Sequence, residues 1–308
     1  MCGLKGDSDV EFSKKQWQNI DSSVDINLED LDFESLLSLN DYATKQEIKA
    51  LYFPLIEMLS EKTRRHKEYI NYIQQKIVDR KRTIPFVIGV SGGVAAGKST
   101  VARLLAELLS KHNPDWKVDL ITTDGYILPK KELLAQDIMS KKGFPESYES
   151  NTLIQHLKSI KDGEKVPTYT YSHLTYDRLK DDFHYVDQPD ILIIEGVNIF
   201  QVYGHTEQLV SDYIDYKIFL DVSLDLMKSW YIQRFLKLQE SAFQKPESHF
   251  YQYKNLSRDE AIKLATQLWT DINEPNVINN IYPTKSRADL ILHKAENHTI
   301  DNLIFNQF

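Results

Sequence analysis

The stretch GVSGGVAAGKSTVARLLAELL, residues 89–109, begins as a glycine-rich turn and becomes a helix. Four of its residues match the pattern G-x-x-x-x-G-K-[ST]: Gly92, Gly97, Lys98 and Ser99. The apolar run FVIGV (86–90) precedes the match and a helical run follows it, which is the context that this phosphate-binding loop requires. Glycines let the backbone turn tightly, so that successive N–H groups and the helix N-terminus point at phosphate oxygens. The stretch therefore predicts a nucleotide site.

The residues of this loop have distinct expected roles. Lys98 would bridge the β- and γ-phosphates of the nucleotide, and the hydroxyl of Ser99 would bind Mg²⁺. Contacts with the nucleotide are expected along the whole loop, from Gly92, Gly93, Val94, Ala95, Ala96, Gly97, Lys98, Ser99 and Thr100. The alternative is a glycine turn that merely precedes a helix, and the flanking strand and helix favour the nucleotide site.

Composition and charge narrow the class of protein. The chain has 308 residues, 42% of them apolar, which suffices for a large core. Its net charge of -8 argues against a general nucleic-acid binder. The single cysteine, Cys2, permits no internal disulfide and no cysteine metal site, which suits a reducing compartment. No run approaches the ~18 apolar residues of a membrane span, and the N-terminus is not signal-like. We expect a cytoplasmic protein that acts on small molecules, with no membrane or nucleic-acid partner.

Beyond Pro85, short β-rich runs alternate with helical stretches. The runs are FVIGV (86–90), VDLITT (118–123), ILIIEG (191–196), YKIFLDV (216–222) and ADLILHK (288–294). Helices are expected over residues 98–112, 224–240 and 258–272, the last behind the capping box SRDE. This alternation is typical of parallel strands joined by crossover helices, and it predicts an α/β fold with a doubly wound, mostly parallel sheet.

The residues before this core predict an N-terminal helical extension. Residues 1–40 are acidic and weakly periodic, which indicates an arm with short helices, and TKQE (44–47) reads as the capping box of a longer helix. We expect two regions. Residues 1–82 form an arm and helices that pack on the core, and residues 83–308 form the P-loop domain.

Two carboxylates follow apolar strands. Asp124 comes after VDLITT and Glu195 after ILII, and ligands of an open α/β sheet bind beyond the carboxyl ends of its strands. We therefore expect both beside the P-loop. Asp124 is the candidate base, because a carboxylate can orient a hydroxyl and accept its proton late, and Glu195 is the candidate metal partner. The alternative for each is an acid that caps a loop, and Gly125 fits such a turn.

An acceptor pocket is expected in PTYTYSHLTYD (167–177). In an extended strand Tyr169, Tyr171, His173 and Thr175 would share one face, and Tyr176 adds a third phenol nearby. Several phenols and an imidazole between polar loops favour a hydrogen-bonding pocket. The alternative is a β-ribbon with ordinary aromatic packing.

The helix SWYIQRFLKLQE (229–240) carries Tyr231 and Arg234 at i, i+3, so the two side chains project from neighbouring positions. Arg234 could lean over the phosphates and stabilise charge in the transition state. The alternative is a solvated helix arginine.

Several motifs recur together in one family: GVSGGVAAGKST, ITTDGY, KKGFPESY, YSHLTYD, QPDILIIEGVN, WYIQRFLK and LWTDIN. From about Phe12 to its C-terminus the chain resembles the prokaryotic type I pantothenate kinases. The resemblance implies a P-loop kinase fold, ATP and Mg²⁺ as cofactors, and phosphorylation of pantothenate to 4'-phosphopantothenate, which begins coenzyme A synthesis. It also implies feedback by coenzyme A at the ATP site and a homodimer, for whose contact the helical stretches 98–112 and 62–82 are the candidates.

The resemblance also implies roles for individual positions. Lys98 and Ser99 become phosphate and metal contacts, Asp124 the base and Arg234 a phosphate-stabilising group. Around pantothenate the resemblance places Tyr171, His173, Tyr176, Tyr231 and Asn273, with Phe235 and Phe250 on an apolar wall. The chain departs from the pattern at INEPN (272–276), where many relatives are apolar after the asparagine, and at Leu238, which is aromatic in some. Both departures bear on inhibitor preference and regulation.

Two other functions stay open. A different P-loop kinase, of the uridine or phosphoribulose type, would share the loop and the fold, although YSHLTYD argues against it. A non-catalytic nucleotide switch is the second alternative. The sequence contains no N-K-x-D motif for guanine, and Asp124 and Glu195 would have no clear purpose in such a switch.

Overall fold

The computed structural model of the chain describes residues 3–4, 9–78, 82–202 and 208–306; Cys2 and residues 79–81 of the candidate helical stretch 62–82 lie outside them. Within these ranges the strands are β1 (Gly3–Leu4), β2 (Val10–Ser13), β3 (Phe86–Gly92), β4 (Val118–Thr122), β5 (Lys165–Ser172), β6 (Asp177–Asp187), β7 (Ile191–Glu195), β8 (Tyr216–Asp221), β9 (Leu290–Lys294) and β10 (Ile300–Phe305). The α-helices are α1 (Lys14–Trp17), α2 (Phe33–Leu36), α3 (Lys45–Glu47), α4 (Phe53–Ile73), α5 (Lys98–His112), α6 (Lys130–Ala135), α7 (Ser150–Lys161), α8 (Leu224–Glu240), α9 (Arg258–Leu268) and α10 (Glu274–Asn276).

The main sheet is mostly parallel, as predicted. Its strand order is β1-β2-β10-β9-β8-β3-β7-β4, in which the run from β9 to β4 is parallel and β10, β2 and β1 add antiparallel strands at one edge. The five β-rich runs of the sequence become the five parallel strands. Strands β5 and β6 form a separate antiparallel ribbon.

The core surrounds the central strands. Every residue of β3 and β7 is buried, because helices and loops cover both faces of the sheet. Helix α5 packs against β3, β4 and β7. Its buried apolar residues include Val101, Leu104, Leu105, Leu108 and Leu109. The predicted helices at 98–112 and 224–240 have those bounds. The third begins at Arg258 behind the capping box of Ser257 and Glu260, and its last turn widens to a π-helix over Trp269–Asn273.

The N-terminal arm differs from its prediction because it also contains the strands β1 and β2. Short helices are present, but β2 is a strand of the main sheet, paired with β10 from the opposite end of the chain. Trp17 stabilises this pairing: it is buried against the rings of Phe12 and Phe305, and its Nε1 donates to the carbonyl of Leu51 at 2.9 Å. A four-residue strand is specified by its distant partner, so local periodicity does not show it. The division at residues 82 and 83 stays a prediction.

The capping box predicted at 44–47 forms only in half. Thr44 Oγ1 accepts the N–H of Glu47 at 3.1 Å. The Glu47 carboxylate accepts the N–H of Ile300 in β10 instead of returning to the cap. The arm is therefore tied to the C-terminal hairpin. Within the described residues, no helix has the length and apolar character needed to cross a bilayer.

Candidate active site

The P-loop joins β3 to α5 along a path that only glycine allows at two points. Gly92 has φ +147° and Gly97 has φ +89°, both in the region that L side chains rarely adopt. A Cβ on Gly92 would lie 2.7 Å from the carbonyl oxygen of Leu220, and one on Gly97 would lie 2.5 Å from Lys294 Nζ. Close contacts with Leu220 and Lys294 therefore fix the path of the loop at the carboxyl edge of the sheet.

Lys98 begins α5 and folds back over this loop. Its half-buried side chain donates from Nζ to the carbonyl of Gly93 at 2.9 Å. Burial lowers the pKa of Lys98, while the nearby carboxylates of Glu195 and Asp124 oppose that shift and Arg234 adds to it. A cation held in a desolvated loop among these groups gains most from an anionic ligand such as a phosphate.

Glu195 ends β7 directly beside the loop. In the sheet it is opposite Val90 on one side and Thr122 on the other, so its carboxylate lies at the same edge as the P-loop. Ser99 Oγ donates to Glu195 Oε1 at 2.9 Å. Burial raises the pKa of Glu195, with Lys98 opposing this shift and Asp124 adding to it. A buried acid of this kind favours a cationic partner.

Asp124 lies in the turn that follows β4. Thr122 caps this turn, because its Oγ1 accepts the N–H of Asp124 at 3.4 Å, so the carboxylate of Asp124 is not needed as the cap. That carboxylate is 34% exposed, and its Oδ2 lies 3.7 Å from Nε2 of His173. This geometry disfavours the loop-capping alternative and leaves the acid facing the ribbon of β5 and β6.

The ribbon docks on the Asp124 turn through a backbone contact. A Cβ on Gly125 would lie 2.1 Å from the carbonyl oxygen of Tyr169, which no side chain could tolerate. The predicted single face is interrupted: a register shift separates Tyr169 from Tyr171, and His173 lies in the turn after β5. Tyr171 therefore groups with His173 and Tyr176, at ring distances of 5.2 and 6.4 Å.

Tyr169 has a supporting position instead. Its ring packs on Tyr126 and on His156, and the hydroxyl of Tyr126 is hydrogen-bonded to Nδ1 of His156 at 2.9 Å. The guanidinium of Arg178 lies 4.5 Å from the centre of the Tyr169 ring and pairs with Glu149. This layer fixes the ribbon against the sheet.

Lys142 was not expected from the sequence, although it lies in the quoted motif KKGFPESY. Its buried ammonium lies 3.7 Å above the ring of Tyr176 and 5.2 Å from that of Tyr171, and it donates to the carbonyl of Tyr176. Burial lowers the pKa of Lys142 to about 8, against the opposing charges of Asp177 and Asp124. The sequence shows only that Lys141 and Lys142 precede Gly143. Tertiary packing determines which of the two side chains is buried.

The apolar wall is built in layers. Tyr176 contacts Phe250 at a ring distance of 5.0 Å, Phe250 contacts Phe243 at 5.0 Å, and Phe235 lies behind Phe243 at 5.2 Å. Phe250 therefore faces the ribbon and Phe235 supports it from a buried position.

Tyr231 and Asn273 come together beside the apolar wall, because Tyr231 packs against the same cluster as Phe235, Phe243 and Phe250. Tyr231 is half-buried against Trp269, and its side chain is hydrogen-bonded to Asn273, which lies in the π-helical turn. π-helical turns are frequent at functional sites because they displace side chains from the regular helical positions. Burial raises the pKa of Tyr231, so its hydroxyl keeps its proton and can act as a donor.

Arg234 lines a cleft with the P-loop rather than pointing to solvent. It is half-buried on α8, and the same cleft is bounded by three groups: residues 38–41 of the arm, loop residues Ala95, Gly97, Lys98 and Ser99, and the side chains of Trp230 and His298. Trp230 and His298 are stacked with a ring distance of 3.9 Å. Sequence reasoning missed the arm residues and this stacked pair, because segments remote in sequence build that wall.

Comparison with known proteins is consistent with this geometry. The model of the phosphoribulokinase / uridine kinase family matches residues 87–238. Pantothenate kinase of Histophilus somni (strain 2336) is 41% identical over 295 residues, which cover 95% of this chain and 93% of that protein. The chain belongs to the pantothenate kinase family. The family expected from the motifs is thereby confirmed.

A second relative agrees with that assignment, and a solved structure shares the fold. Pantothenate kinase of Vibrio vulnificus (strain CMCP6) is 40% identical over 97% of this chain and 99% of its own. The structure of D-glycerate 3-kinase from Cryptococcus neoformans var. grubii superposes with a TM-score of 0.51 at 14% identity, over 82% of this chain and 99% of that one. The latter supports the kinase fold alone.

We predict that Gly125→Ala separates acceptor use from nucleotide binding. The added Cβ must displace the ribbon from the Asp124 turn, and a displacement of ~1 Å costs ~10²-fold in catalytic efficiency. Steady-state kinetics should show this loss in kcat/KM for the acceptor, with KM for ATP unchanged. Gly163→Ala is the matched control, since it strains a positive φ of 73° and meets only the Arg82 side chain. Wild-type acceptor kinetics in Gly125→Ala would refute the docking role.

Proposed function

We propose that this chain transfers the γ-phosphate of ATP to the hydroxyl of pantothenate and releases 4'-phosphopantothenate and ADP. One observation carries the proposal: the ribbon docks at Gly125, so that the phenols and His173 face a carboxylate on the P-loop edge. A phosphate donor site and a hydrogen-bonding acceptor site then share one catalytic acid-base group. The names of the relatives supply the identity of the acceptor.

The phosphate-binding part of the site consists of the P-loop and the side chains of Lys98 and Arg234. Backbone N–H groups from Gly92 to Thr100 would hold the β- and γ-phosphates, and Lys98 would neutralise them. Arg234, in the same cleft as Lys98, would stabilise the negative charge that spreads over the transferring phosphoryl group.

Ser99 and Glu195 fit a magnesium site. Their oxygens lie 2.9 Å apart, and both belong to the hard donor class that Mg²⁺ prefers. A buried carboxylate with a raised pKa is also stabilised by a cation. Bound there, Mg²⁺ would offset the charge of the phosphates. These two residues would hold it together with phosphate oxygens and water.

Asp124 would act as the base. Its partly exposed carboxylate can accept the proton of the pantothenate hydroxyl late in the transfer, when the oxygen bonds to phosphorus. His173 lies 3.7 Å away and would orient the same hydroxyl.

Pantothenate would lie between the ribbon and the apolar wall. The proposed contacts are Tyr171, His173, Tyr176, Tyr231, Asn273 and Phe250, and Phe235 would support this wall from its buried position behind Phe243. Lys142 adds a cation to this side, which suits an acceptor that carries a carboxylate.

Three further expectations belong to this proposal. Coenzyme A would inhibit by competition, because its nucleotide part presents phosphates to the same cleft. The homodimer would use the candidate stretch 62–82 rather than 98–112, since α5 buries its apolar face within the chain while Tyr69 and Tyr72 of α4 are 63% and 59% exposed. The protein would act in the cytoplasm.

An acceptor panel tests the proposed reaction. Coupled ADP release should be fast with pantothenate and near background with uridine or ribulose 5-phosphate. Lys98→Met is the control, because it removes the phosphate cation while contributing little packing, so turnover should vanish with the fold retained. Preference for uridine or ribulose 5-phosphate would favour the other kinase types. Wild-type-like turnover in Lys98→Met would contradict the assignment of residues 92–99 as a P-loop.

The lowered pKa of Lys142 predicts that catalytic efficiency for pantothenate decreases at basic pH. Its pKa of about 8 means that the group is a cation below pH 8 and neutral above it. Catalytic efficiency for pantothenate should therefore fall by about tenfold per unit above pH 8, since an uncharged amine no longer attracts the anionic acceptor. Lys142→Met should be less active at pH 7 and should not show this decrease. Lys141→Met is the control, because that neighbour is 56% exposed and pairs with Glu146. An unchanged decrease in Lys142→Met would contradict the assignment.

A further inference from the structure

A buried ion pair lies against the P-loop, and its aspartate also lines the cleft of Lys98 and Arg234, but the proposed chemistry does not use it. Lys294, at the end of β9, donates from Nζ to Asp41 Oδ1 at 2.9 Å, and the two side chains are 4% and 6% exposed. The hydroxyl of Thr100 donates to Asp41 Oδ2, and Nδ1 of His298 lies 3.4 Å from Oδ1. One carboxylate thus joins the arm, the C-terminal hairpin and the first turn of α5.

The pair is in direct contact with the loop. A Cβ on Gly97 would lie 2.5 Å from Lys294 Nζ and 2.8 Å from Asp41 Oδ2, so both groups touch the residue before Lys98. Although burial raises the pKa of Asp41, the contact with His298, the charge of Lys294 and the hydrogen bonds from Thr100 and Lys294 outweigh it and hold the pKa below its usual range. The carboxylate is therefore ionised when it accepts from Thr100, which makes that hydrogen bond a strong one.

The same carboxylate reaches the opposite wall of the cleft. His298 has φ +65°, in the left-handed region, and its ring stacks on Trp230 at 3.9 Å. Both rings line the cleft that Lys98 and Arg234 share. Asp41 therefore contacts the phosphate-binding turn on one side and the aromatic wall on the other.

We infer that Asp41 is a positioning residue for the nucleotide, and that it acts through Thr100, Gly97 and His298. It fixes the first turn of α5 against the loop, and it sets the distance between the loop and the stacked rings. This inference rests on the proposed ATP site. It adds that nucleotide affinity depends on a contact from the N-terminal arm.

The test compares Asp41→Asn and Lys294→Met with their double variant. Each single variant should raise the KM for ATP by about tenfold, the loss expected when one charge-assisted hydrogen bond that orients a binding group is removed. KM for pantothenate should stay within about twofold. The double variant should resemble the single ones, because residues of one network have non-additive effects. The double variant leaves neither charge of the pair buried without its partner. Its KM for ATP therefore tests the inference even if a single variant folds poorly.

Asp190→Asn is the matched control. Asp190 pairs with Lys67 at 2.6 Å and precedes β7, at the opposite end of the sheet from the loop. It should lose stability without a change in the KM for ATP. An unchanged KM for ATP in Asp41→Asn, or an equal rise in Asp190→Asn, would overturn the inference. Calorimetry of ATP binding without acceptor gives the same comparison, so a failure of pantothenate as substrate is distinguishable from a failure of this inference.

Discussion

The register of three parallel strands determines where the charged groups of the site lie. Glu195 at the end of β7 is opposite Val90 of β3 and Thr122 of β4. The P-loop leaves β3 two residues after Val90, and Asp124 follows Thr122 by two residues, so the loop and both carboxylates reach the edge together. Buried strands also remove water from these groups, which lowers the pKa of Lys98 and raises that of Glu195. An anionic substrate with its counter-ion relieves both penalties.

The proposed acceptor site is formed by the ribbon of β5 and β6, which packs on this edge but is not part of the main sheet. The ribbon of β5 and β6 contacts the Asp124 turn at Gly125, and its outer strand is tied to β4 by the contact of 2.6 Å between His184 and Asp119. The Tyr169 layer fills the space between. Phosphate binding and acceptor choice thus reside in separate elements that meet at one carboxylate, and related kinases can change the acceptor while retaining the loop.

Local sequence predicted the elements whose signals are local. The P-loop, the five parallel strands and the helices starting at Lys98 and Leu224 follow from short motifs and periodicity, and the family followed from motifs quoted together. Strand β2, the inward turn of Lys142 and the Asp41 contacts could not be predicted in this way, because each depends on a partner far along the chain. The ribbon shows an intermediate case. Its aromatic residues were evident, but the register shift that separates Tyr169 from Tyr171 depends on how the strands pair. The roles of the individual site residues stay predictions.

The central claim is that Asp124 takes the acceptor proton while the P-loop edge holds ATP. A Mg²⁺ titration of Asp124→Asn, with calorimetry of ATP binding beside it, tests this most directly. Asparagine keeps the shape but cannot accept a proton, so kcat should fall by about 10²–10⁴ at every Mg²⁺ concentration, with ATP affinity nearly unchanged. If added Mg²⁺ restored the rate, Asp124 would be chiefly a metal partner, and the role of base would move to Glu195.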